Sequence, residues 1–420
     1  MKKINVFIVS SLLFSILCFM LSILTGCSDP ASNLDNDNDQ RQPIEISALE
    51  KEVANSASSF GFKIFDAISQ SSRSENIFIS PLSISMALGM TLNGAAGDTY
   101  TAMRQTLELN GLSEEQINFT YQTLIATLMS ADAEVNFEIA NSIWYRNTMT
   151  FEQLFIQTNI DYFDAVVQGM DFNDPQTVNV INQWISDNTN GNIDEVIDQI
   201  DPITVMFLIN ALYFKGTWEK EFNAEATVDD IFINDNTEQI ACEMMVQENE
   251  YLYYENDLFQ AVNLPYGDGQ FYMTVLLPKD QNVVETIIEE MNSDNWSQWL
   301  TGFTETELIL RLPKFKLEYE IELKDVLTEL GMGVAFTDGA DFTRMYAPGS
   351  LAISKVKHKS FIEVNEEGTE ASAVTVVEIV LTSAGGDTLT MNVNKPFLFL
   401  IHEVDSEAIL FMGKICNPVE

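Results

Sequence analysis

Histidine and basic residues are scarce in this 420-residue chain. It contains two histidines, His358 and His402, and 21 lysines and arginines against 63 aspartates and glutamates, a net charge of −42. Serine–histidine catalysis, cysteine–histidine catalysis and most zinc sites depend on a positioned imidazole, so this scarcity weighs against them. The negative charge opposes binding to nucleic acid, because such proteins present clustered lysines and arginines to phosphates. We therefore expect no nucleic-acid partner, no metal and no cofactor.

The sequence also lacks the short motifs of common enzyme classes. It contains no phosphate-binding P-loop, no HExxH zinc motif and no GxSxG nucleophile motif. Acidic pairs such as Asp229–Asp230 lack the loop spacing and the glycine of a calcium site and are typical of solvated surfaces. A hydrolase working through paired carboxylates is the enzymatic alternative. No nucleophile–base pair supports it, so we expect no enzymatic activity.

Cysteine is scarce as well. Of the four cysteines, Cys18 and Cys27 lie near the N-terminus, which leaves Cys242 and Cys416 in the rest of the chain. Two thiols are too few for the disulfide framework of a small secreted domain, and the sequence leaves open whether they pair. Hydrophobic residues make up 46% of the chain, so an apolar core of substantial size can stabilise the fold.

The N-terminus has the pattern of an export signal. Two lysines precede the uncharged run 4–24, which is followed by a cysteine in the letters LTGC. These four letters resemble the bacterial lipoprotein box, in which cleavage before the cysteine leaves it as the lipid-bearing N-terminus. We therefore predict a lipoprotein-type signal peptide at 1–26 and lipidation at Cys27. The alternative is an uncleaved signal anchor, because the run is long enough to cross a bilayer.

This leader predicts a location outside the cytoplasm. A lipid on Cys27 would hold the protein at the cell envelope or cell surface as its only contact with the membrane, and release to the extracellular space is the alternative. Residues 27–46 are rich in Asp, Asn, Pro and Ser and have too few apolar side chains to pack, so we predict an acidic disordered tether. No second linker of this kind follows, and 47–420 is predicted to be one domain.

Helical patterns come early in this domain and strand patterns come late. Apolar residues recur with helical spacing over 48–68 and 81–95, and SEEQ at 113–116 is a capping signature for a further helix. Runs this apolar, without clean alternation, suit strands that are covered on both faces. Such runs lie at 204–216, 270–278, 307–318, 351–364, 395–404 and 408–415. The pattern predicts an α+β protein with a large, mostly antiparallel sheet.

One late segment, 366–387, does not fit a uniformly apolar strand. With a period of two, Thr369, Ala371, Ala373 and Thr375 fall on one face, and the other face carries glutamate, serine and valine. The first face starts with small and hydroxyl side chains, as a strand entering a tight slot would need. The segment ends in the loop-forming letters SAGGD. From periodicity alone, an edge strand followed by a turn explains it as well.

At 358–375 the sequence HKSFIEVNEEGTEASAVT strongly resembles the hinge of the serpin family. Other segments resemble blocks of this family, in the family's order, at 76–90, 208–222, 264–278, 312–323, 395–401 and 411–418. Together they cover essentially all of 46–420, which makes the joint signal specific. The lipoprotein-type leader indicates a prokaryotic member of the family.

The resemblance implies the serpin fold, with three β-sheets, about nine helices and an exposed reactive-centre loop. It also implies suicide inhibition of a serine-type endopeptidase. The protease cleaves the loop and is trapped as a covalent acyl complex, because the hinge inserts between central strands near 204–215 and 351–365 and drags the enzyme away. The energy comes from completing a strained, incompletely paired sheet. The implied state is a monomer, and the implied partner is the target protease.

The resemblance assigns the hinge to Glu366, Glu367, Gly368, Thr369, Glu370, Ala371, Ser372, Ala373, Val374 and Thr375. Inserting side chains must pass between packed strands, so bulky, charged or proline residues at inward positions would stall the hinge. Its inward positions are small or β-branched, and no proline lies between Glu366 and Lys395. Gly368 supplies backbone freedom at the turning point. These features favour inhibition over the alternative, a non-inhibitory serpin with a binding or surface-interaction role.

The resemblance places the scissile bond at Thr382–Ser383, counted from Glu366. The stretch that follows is longer than usual for the family, so Leu381–Thr382 and Ser383–Ala384 remain alternatives. Threonine before the bond suits the shallow apolar pockets of elastase-like or subtilisin-like proteases and offers no cation to a trypsin-like pocket. Leu381 would also suit papain-like cysteine proteases.

Two further groups are carried over by their place in the family motifs. The shutter, a hydrogen-bond cluster under the central strands, is matched by Ser80, Ser83, Asn210 and His358. The breach, where the loop first enters the sheet, is matched by Trp218, Lys314 and Glu366. We expect an acid–base pair in the breach and a buried, structural His358 in the shutter. His402 has no recognisable partner and is expected to be structural.

Overall fold

A computed structural model of the protein describes residues 41–279, 282–369 and 388–419. The predicted signal peptide, Cys27 and the first part of the predicted tether lie outside these residues. So do the hinge residues 370–375 and the residues of the candidate scissile bonds, Leu381, Thr382 and Ser383. Among the described residues, no helix combines the length and the apolar character needed to cross a bilayer.

Nine α-helices form within the described residues, and six of them come before residue 190. They are α1 (Ala48–Ser71), α2 (Pro81–Leu92), α3 (Gly97–Thr106), α4 (Glu114–Met129), α5 (Gln153–Phe163), α6 (Gln176–Asp187), α7 (Val284–Glu290), α8 (Ser293–Leu300) and α9 (Lys324–Leu327). The early helices that the sequence predicts are therefore present.

Side-chain caps fix the start of two long early helices. The Ser47 hydroxyl accepts the Glu50 amide at 3.2 Å, and the Glu50 carboxylate accepts the Ser47 amide at 2.8 Å. Ser113 and Gln116 form the same reciprocal pair before α4, as the SEEQ signature predicts. These bonds satisfy amides that the first turn of a helix leaves without a partner.

Fifteen strands form within the described residues, and most lie in the second half of the chain. They are β1 (Ile77–Ile79), β2 (Val135–Arg146), β3 (Val166–Met170), β4 (Met206–Thr217), β5 (Val228–Ile233), β6 (Gln239–Glu255), β7 (Phe259–Tyr266), β8 (Phe271–Pro278), β9 (Thr304–Pro313), β10 (Phe315–Glu322), β11 (Lys357–Val364), β12 (Gly368–Thr369), β13 (Leu389–Asn392), β14 (Phe397–Glu403) and β15 (Ile409–Ile415). The fold is the predicted α+β class.

Hydrogen bonding organises the described strands into two sheets. A nine-stranded sheet has the order β1-β15-β14-β8-β7-β6-β9-β13, with β5 also on β6. A six-stranded sheet has the order β10-β11-β12-β4-β2-β3. The resemblance implies three sheets, but the described strands form two. The reason is that the long strand β6 pairs with β9 along 244–253 and with β7 along 252–255, which joins their strands into one sheet.

The six-stranded sheet is covered on both faces, as the apolar runs predict. Ile143 and Trp144 are neighbours on β2, so their side chains point to opposite faces. Ile143 belongs to the main core, in which α2 packs against β4 and β15. Trp144 belongs to a second buried cluster with Ile181 and Ile185 of α6 and with Ile193 in the following loop. The helix α6 and this loop therefore lie over the sheet.

The run 307–318 is two strands in two different sheets, rather than one continuous strand. The first of them, β9, ends at Pro313 in the nine-stranded sheet, and β10 begins at Phe315 in the six-stranded sheet. Pro313 has no amide to continue a ladder. The change of sheet leaves Lys314 between the two strands, next to the end of β11.

The end of the predicted tether contacts the folded unit. Arg41 pairs with Asp405 at 2.5 Å and donates to the Gln270 side chain at 2.9 Å. The Ile44 amide donates to the same Asp405 carboxylate at 2.9 Å. Residues 41–46 thus lie against the domain that the sequence predicts to begin at 47.

Candidate functional site

The first part of the predicted hinge forms the two-residue strand β12. Gly368 pairs with Thr217 and Thr369 with Gly216, both on β4, while Thr369 also pairs with Val364 on β11. Thr369 is 3% exposed. The hinge therefore starts inside the six-stranded sheet, between the two strands that the resemblance assigns to loop insertion.

A tight turn brings the chain from β11 back into the sheet. The Asn365 side chain accepts the amides of Glu367 at 3.0 Å and Gly368 at 3.3 Å, and the Asn365 amide donates to the Gly368 carbonyl at 3.0 Å. Gly368 has a φ of +154°, and a Cβ there would lie 2.2 Å from the Gly216 carbonyl oxygen. Only glycine can therefore pass this close to β4.

Trp218 and Phe222 hold the outer side of this turn. The indole nitrogen of Trp218 donates to the Asn365 carbonyl at 3.0 Å, and its amide donates to the Glu367 carbonyl at 2.9 Å. The Phe222 amide donates to the Glu366 carbonyl at 2.8 Å. Three consecutive carbonyl groups of the turn are bound in this way, two of them by Trp218.

Glu366 and Lys314 form the acid–base pair expected in the breach. Their side chains are 3.3 Å apart, and the Thr227 hydroxyl donates to the same carboxylate at 2.7 Å. Burial alone would raise the pKa of Glu366, but the Thr227 and Lys314 contacts outweigh it and hold the pKa below its ordinary value. Lys314 also lies 3.5 Å from Glu243. The carboxylate therefore stays charged and paired at neutral pH.

Tyr266 contacts the hinge directly, a contact that the sequence does not predict. Its hydroxyl lies 2.6 Å from the Thr369 hydroxyl, and both side chains are buried. Its ring stacks on Trp218 with the centroids 4.4 Å apart. A side chain at position 216 would collide with this ring, because a Cβ there would lie 2.9 Å from it. Tyr266 lies in the LPYGDG letters, which resemble a block of the family. The neighbouring residues do not show that its side chain contacts Thr369.

A gap lies between β4 and β11 beyond Thr369. Within the described residues, no pairing joins β4 to β11 directly, and β12 is the strand between them. A cavity of about 20 Å³ occupies the gap and is roofed by the loop after α6. Its walls are formed by Leu212, Tyr213, Phe214, Phe361, Ile362, Glu363 and Thr369, and its roof by Thr189, Asn192 and Ile193.

Three of the four predicted shutter residues meet at the start of α2. The Ser80 hydroxyl accepts the Ser83 amide at 3.2 Å and caps the helix. The Ser80 amide donates to Nε2 of His358 at 3.1 Å. Burial lowers the pKa of His358 to about 4, so the ring is neutral and can accept this bond. His358 is buried, as the sequence leads us to expect.

Asn210 does not join this cluster, which corrects the prediction of one shutter network. Its side-chain amide donates to Asn141 at 2.7 Å, and Asn141 donates to the Phe163 carbonyl at 2.8 Å. Asn210 and Asn141 are directly opposite each other on β4 and β2. The cross-strand neighbour supplies the partner, because Asn210 lies on β4 whereas His358 lies on β11 across the gap.

The second histidine and the two cysteines of the described residues are also buried. His402 is buried and bonds to the Thr274 hydroxyl at 2.9 Å, and burial lowers the pKa of His402 to about 4. Cys242 is a free buried thiol, so no disulfide joins it to Cys416. Burial raises the pKa of Cys242 and makes the thiol unreactive. The part of the chain that the structure describes contains no cluster of histidine, cysteine and carboxylate side chains able to hold a metal ion.

The family model described as serpin, serine protease inhibitor, matches residues 55–418. The chain belongs to the serpin family. Bovine (Bos taurus) antithrombin-III is 32% identical over 394 residues, covering 91% of this chain and 85% of its own. Human (Homo sapiens) serpin B9 is 33% identical over 375 residues, covering 87% of this chain and 99% of its own. The leukocyte elastase inhibitor of Xenopus laevis is 33% identical over 378 residues, with the same two coverages.

Solved structures agree with the family assignment. The native state of the thermophilic serpin tengpin superposes with a TM-score of 0.80 at 31% identity, covering 90% of this chain and 97% of its own. Human thyroxine-binding globulin in its complex with thyroxine superposes with a TM-score of 0.81 at 26% identity, covering 89% of this chain and all of its own. The serpin fold expected from the sequence motifs is confirmed.

Proposed function

We propose that this serpin inhibits serine-type endopeptidases by suicide loop insertion. The observation that carries the proposal is the position of β12, which pairs with β4 on one side and β11 on the other. A loop cut beyond the hinge could extend β12 along the gap and pair with both neighbouring strands. Each added backbone hydrogen bond contributes about 1 kcal/mol net, so a full strand would supply a large driving force.

The hinge sequence supports rapid insertion. Position 369 is buried in the sheet and holds threonine, and the next inward positions, 371 and 373, are alanine. Side chains of this size can follow Thr369 into the gap without displacing packed neighbours. Insertion must finish before the acyl-enzyme is hydrolysed, so small inward side chains favour trapping of the protease over its release.

For the target, we propose an elastase-like or subtilisin-like serine protease, with papain-like cysteine proteases as a further class. The proposed scissile bond is Thr382–Ser383, and Leu381–Thr382 and Ser383–Ala384 are the alternatives. A serpin cut at this bond releases a C-terminal fragment that begins at Ser383. N-terminal sequencing of the released fragment distinguishes the three bonds.

Formation of a covalent complex tests the inhibitory function. Pancreatic elastase, subtilisin and papain would each be mixed with the protein and the products separated after boiling in SDS. We expect a band at the summed mass of inhibitor and protease with at least one serine protease. The matched control is Thr369→Arg, which places a charge at a buried inward position and should give cleaved protein without complex. Cleaved wild-type protein without complex for all three proteases would refute the proposal.

We further propose that the protein acts as a monomer held at the cell surface by a lipid on Cys27. The leader pattern supports this location. Residues 27–40 would then link the lipid to the folded unit. The Cys27→Ala variant should lose lipid labelling and leave the membrane fraction. Wild-type protein that lacks lipid label and keeps an unprocessed N-terminus would contradict the anchor without affecting the inhibitory function.

A non-inhibitory binding role is the second candidate. Human thyroxine-binding globulin has this fold and is named for the ligand it binds, so the fold alone does not separate the two functions. The small hinge residues favour inhibition. Under the binding role, loop cleavage would yield no covalent complex with any protease, and the Thr369→Arg variant would behave like the wild type.

A further inference from the structure

The contact between Tyr266 and Thr369 joins a fixed part of the core to the moving hinge. Tyr266 lies at the end of β7, in the nine-stranded sheet, and Thr369 lies in β12, in the six-stranded sheet. The Tyr266 ring is fully buried and packs against Trp218 and Phe214. Because these neighbours fix the ring, its hydroxyl has a fixed position toward the hinge.

The two hydroxyl groups depend on each other. They are 2.6 Å apart, and both residues are at most 3% exposed. A buried hydroxyl without a partner is costly, so withdrawal of the hinge would remove the Tyr266 partner inside the core. Burial raises the pKa of Tyr266, which keeps the phenol protonated and able to donate. The bond therefore favours the state in which Thr369 is in the sheet.

Gly368 and Thr369, the first hinge pair, lie at the start of the path along which the cleaved loop would insert. Thr369 forms one wall of the cavity between β4 and β11, so the next inward hinge residue would enter that cavity. A hinge already seated at Thr369 needs no further nucleation step before it extends. A withdrawn hinge must first re-form the turn at Asn365 and pass Gly368 under the Gly216 carbonyl.

We propose that Tyr266 is a positioning residue for loop insertion, whose hydroxyl holds the Thr369 hydroxyl and keeps the first hinge pair in the sheet before the loop is cleaved. This inference rests on the proposed inhibitory function and adds the residue that prepares the hinge. It also explains why the hinge carries a hydroxyl side chain at 369, followed by alanine at 371 and 373.

The test compares Tyr266→Phe with a matched control. Tyr121→Phe removes another fully buried phenol hydroxyl that lies 2.6 Å from a side-chain hydroxyl, that of Ser85, between α2 and α4. Both variants should lose similar stability toward urea. Only Tyr266→Phe should raise the ratio of cleaved inhibitor to covalent complex, by about fivefold for the loss of one hydrogen bond. Equal ratios in the two variants would overturn the proposal.

Variants at the other end of the bond complete the cycle. Thr369→Val should raise the ratio of cleaved inhibitor to covalent complex as much as Tyr266→Phe does. The double variant should have the same ratio as either single variant. Thr369→Ser, which keeps a hydroxyl group, should have the wild-type ratio. Additive effects of the two single variants would show that the hydroxyls act separately and would contradict the proposal.

Amide hydrogen exchange on uncleaved protein separates this inference from the proposed function. The peptide containing Gly368 and Thr369 should exchange about fivefold faster in Tyr266→Phe than in Tyr121→Phe. Absence of covalent complex with the wild type would refute the inhibitory function, while this exchange result still tests the contact. Equal exchange, with complex formed normally, would refute the role of Tyr266 alone.

Discussion

The Ser80 amide donates a hydrogen bond to Nε2 of His358 across 3.1 Å. A protonated ring carries a hydrogen on this nitrogen and cannot accept the bond. The positive charge would also lie at the N-terminus of α2, where the helix dipole disfavours a cation. Protonation of His358 therefore destabilises the contact between β11 and the start of α2.

We predict that His358 makes the folded protein sensitive to mild acid. Its folded pKa is about 4 and its unfolded pKa about 6.5, so between these values the unfolded chain binds more protons. The stability contribution is complete above pH 6.5 and is lost as the pH falls through 4, a total of about 3 kcal/mol. Urea unfolding of the wild type and of His358→Gln between pH 4 and 7.5 measures this contribution to the free energy of unfolding. Identical pH slopes in the two proteins would be inconsistent with this account.

The breach pair predicts a modest, coupled loss of stability. Lys314→Met removes the cation beside Glu366, whose carboxylate keeps the Thr227 bond. Because Lys314 is partly exposed, we expect a loss of about 1 kcal/mol in the free energy of unfolding. The double variant Lys314→Met with Glu366→Gln should lose less than the sum of the single variants. Strict additivity in urea unfolding would show that the two side chains do not interact.

Gly368 predicts a sharp effect on inhibition. In Gly368→Ala the new Cβ would lie 2.2 Å from the Gly216 carbonyl, so β12 cannot form as it stands. We expect at least a tenfold loss of covalent complex relative to cleaved inhibitor, because the hinge must find another path. The matched control is Gly111→Ala, which has positive φ (+88°) but no atom within 4 Å of its new Cβ. An equal effect of both changes on complex formation would rule out the proposed close approach.

Lys414 predicts a large structural effect away from the hinge. Its side chain is fully buried, and Nζ donates to the Ser69 hydroxyl and to the Ser72 and Arg73 carbonyls at the end of α1. Lys414→Met leaves these acceptors without the ammonium, at a cost of about 3 kcal/mol. Urea unfolding measures the loss, and Lys51→Met, on the exposed side of α1, is the control. A loss below about 1 kcal/mol would mean that other groups replace the bonds.

Much of the fold could be predicted because its signals are local. The capping box at Ser113, the helical spacing of 48–68 and the apolar runs of the last third each depend on neighbouring residues. The joining of two sheets through β6 could not be predicted, because it depends on the pairing of this long strand with both β7 and β9. The break at Lys314 was missed for a related reason, because an apolar run does not reveal a change of sheet.

The site shows the same limit. Lys314 and Glu366 could be paired from their place in the motifs, and the structure brings them together. Asn210 could not be assigned correctly, because its partner Asn141 is fixed by the register of β2 against β4. Tyr266 was not foreseen as a hinge contact, since its hydroxyl meets Thr369 across two sheets and 103 positions. Register and long-range packing decide such contacts, and a single sequence carries neither explicitly.

The central claim is that cleavage of the loop lets β12 extend between β4 and β11. Thermal melting of the uncleaved protein and of protein nicked within 376–387 tests it most directly, because a completed sheet is more stable than an open one. We predict a large rise in Tm after nicking, and no such rise in the Thr369→Arg variant. An unchanged or lower Tm in nicked wild-type protein would contradict loop insertion and favour the binding role.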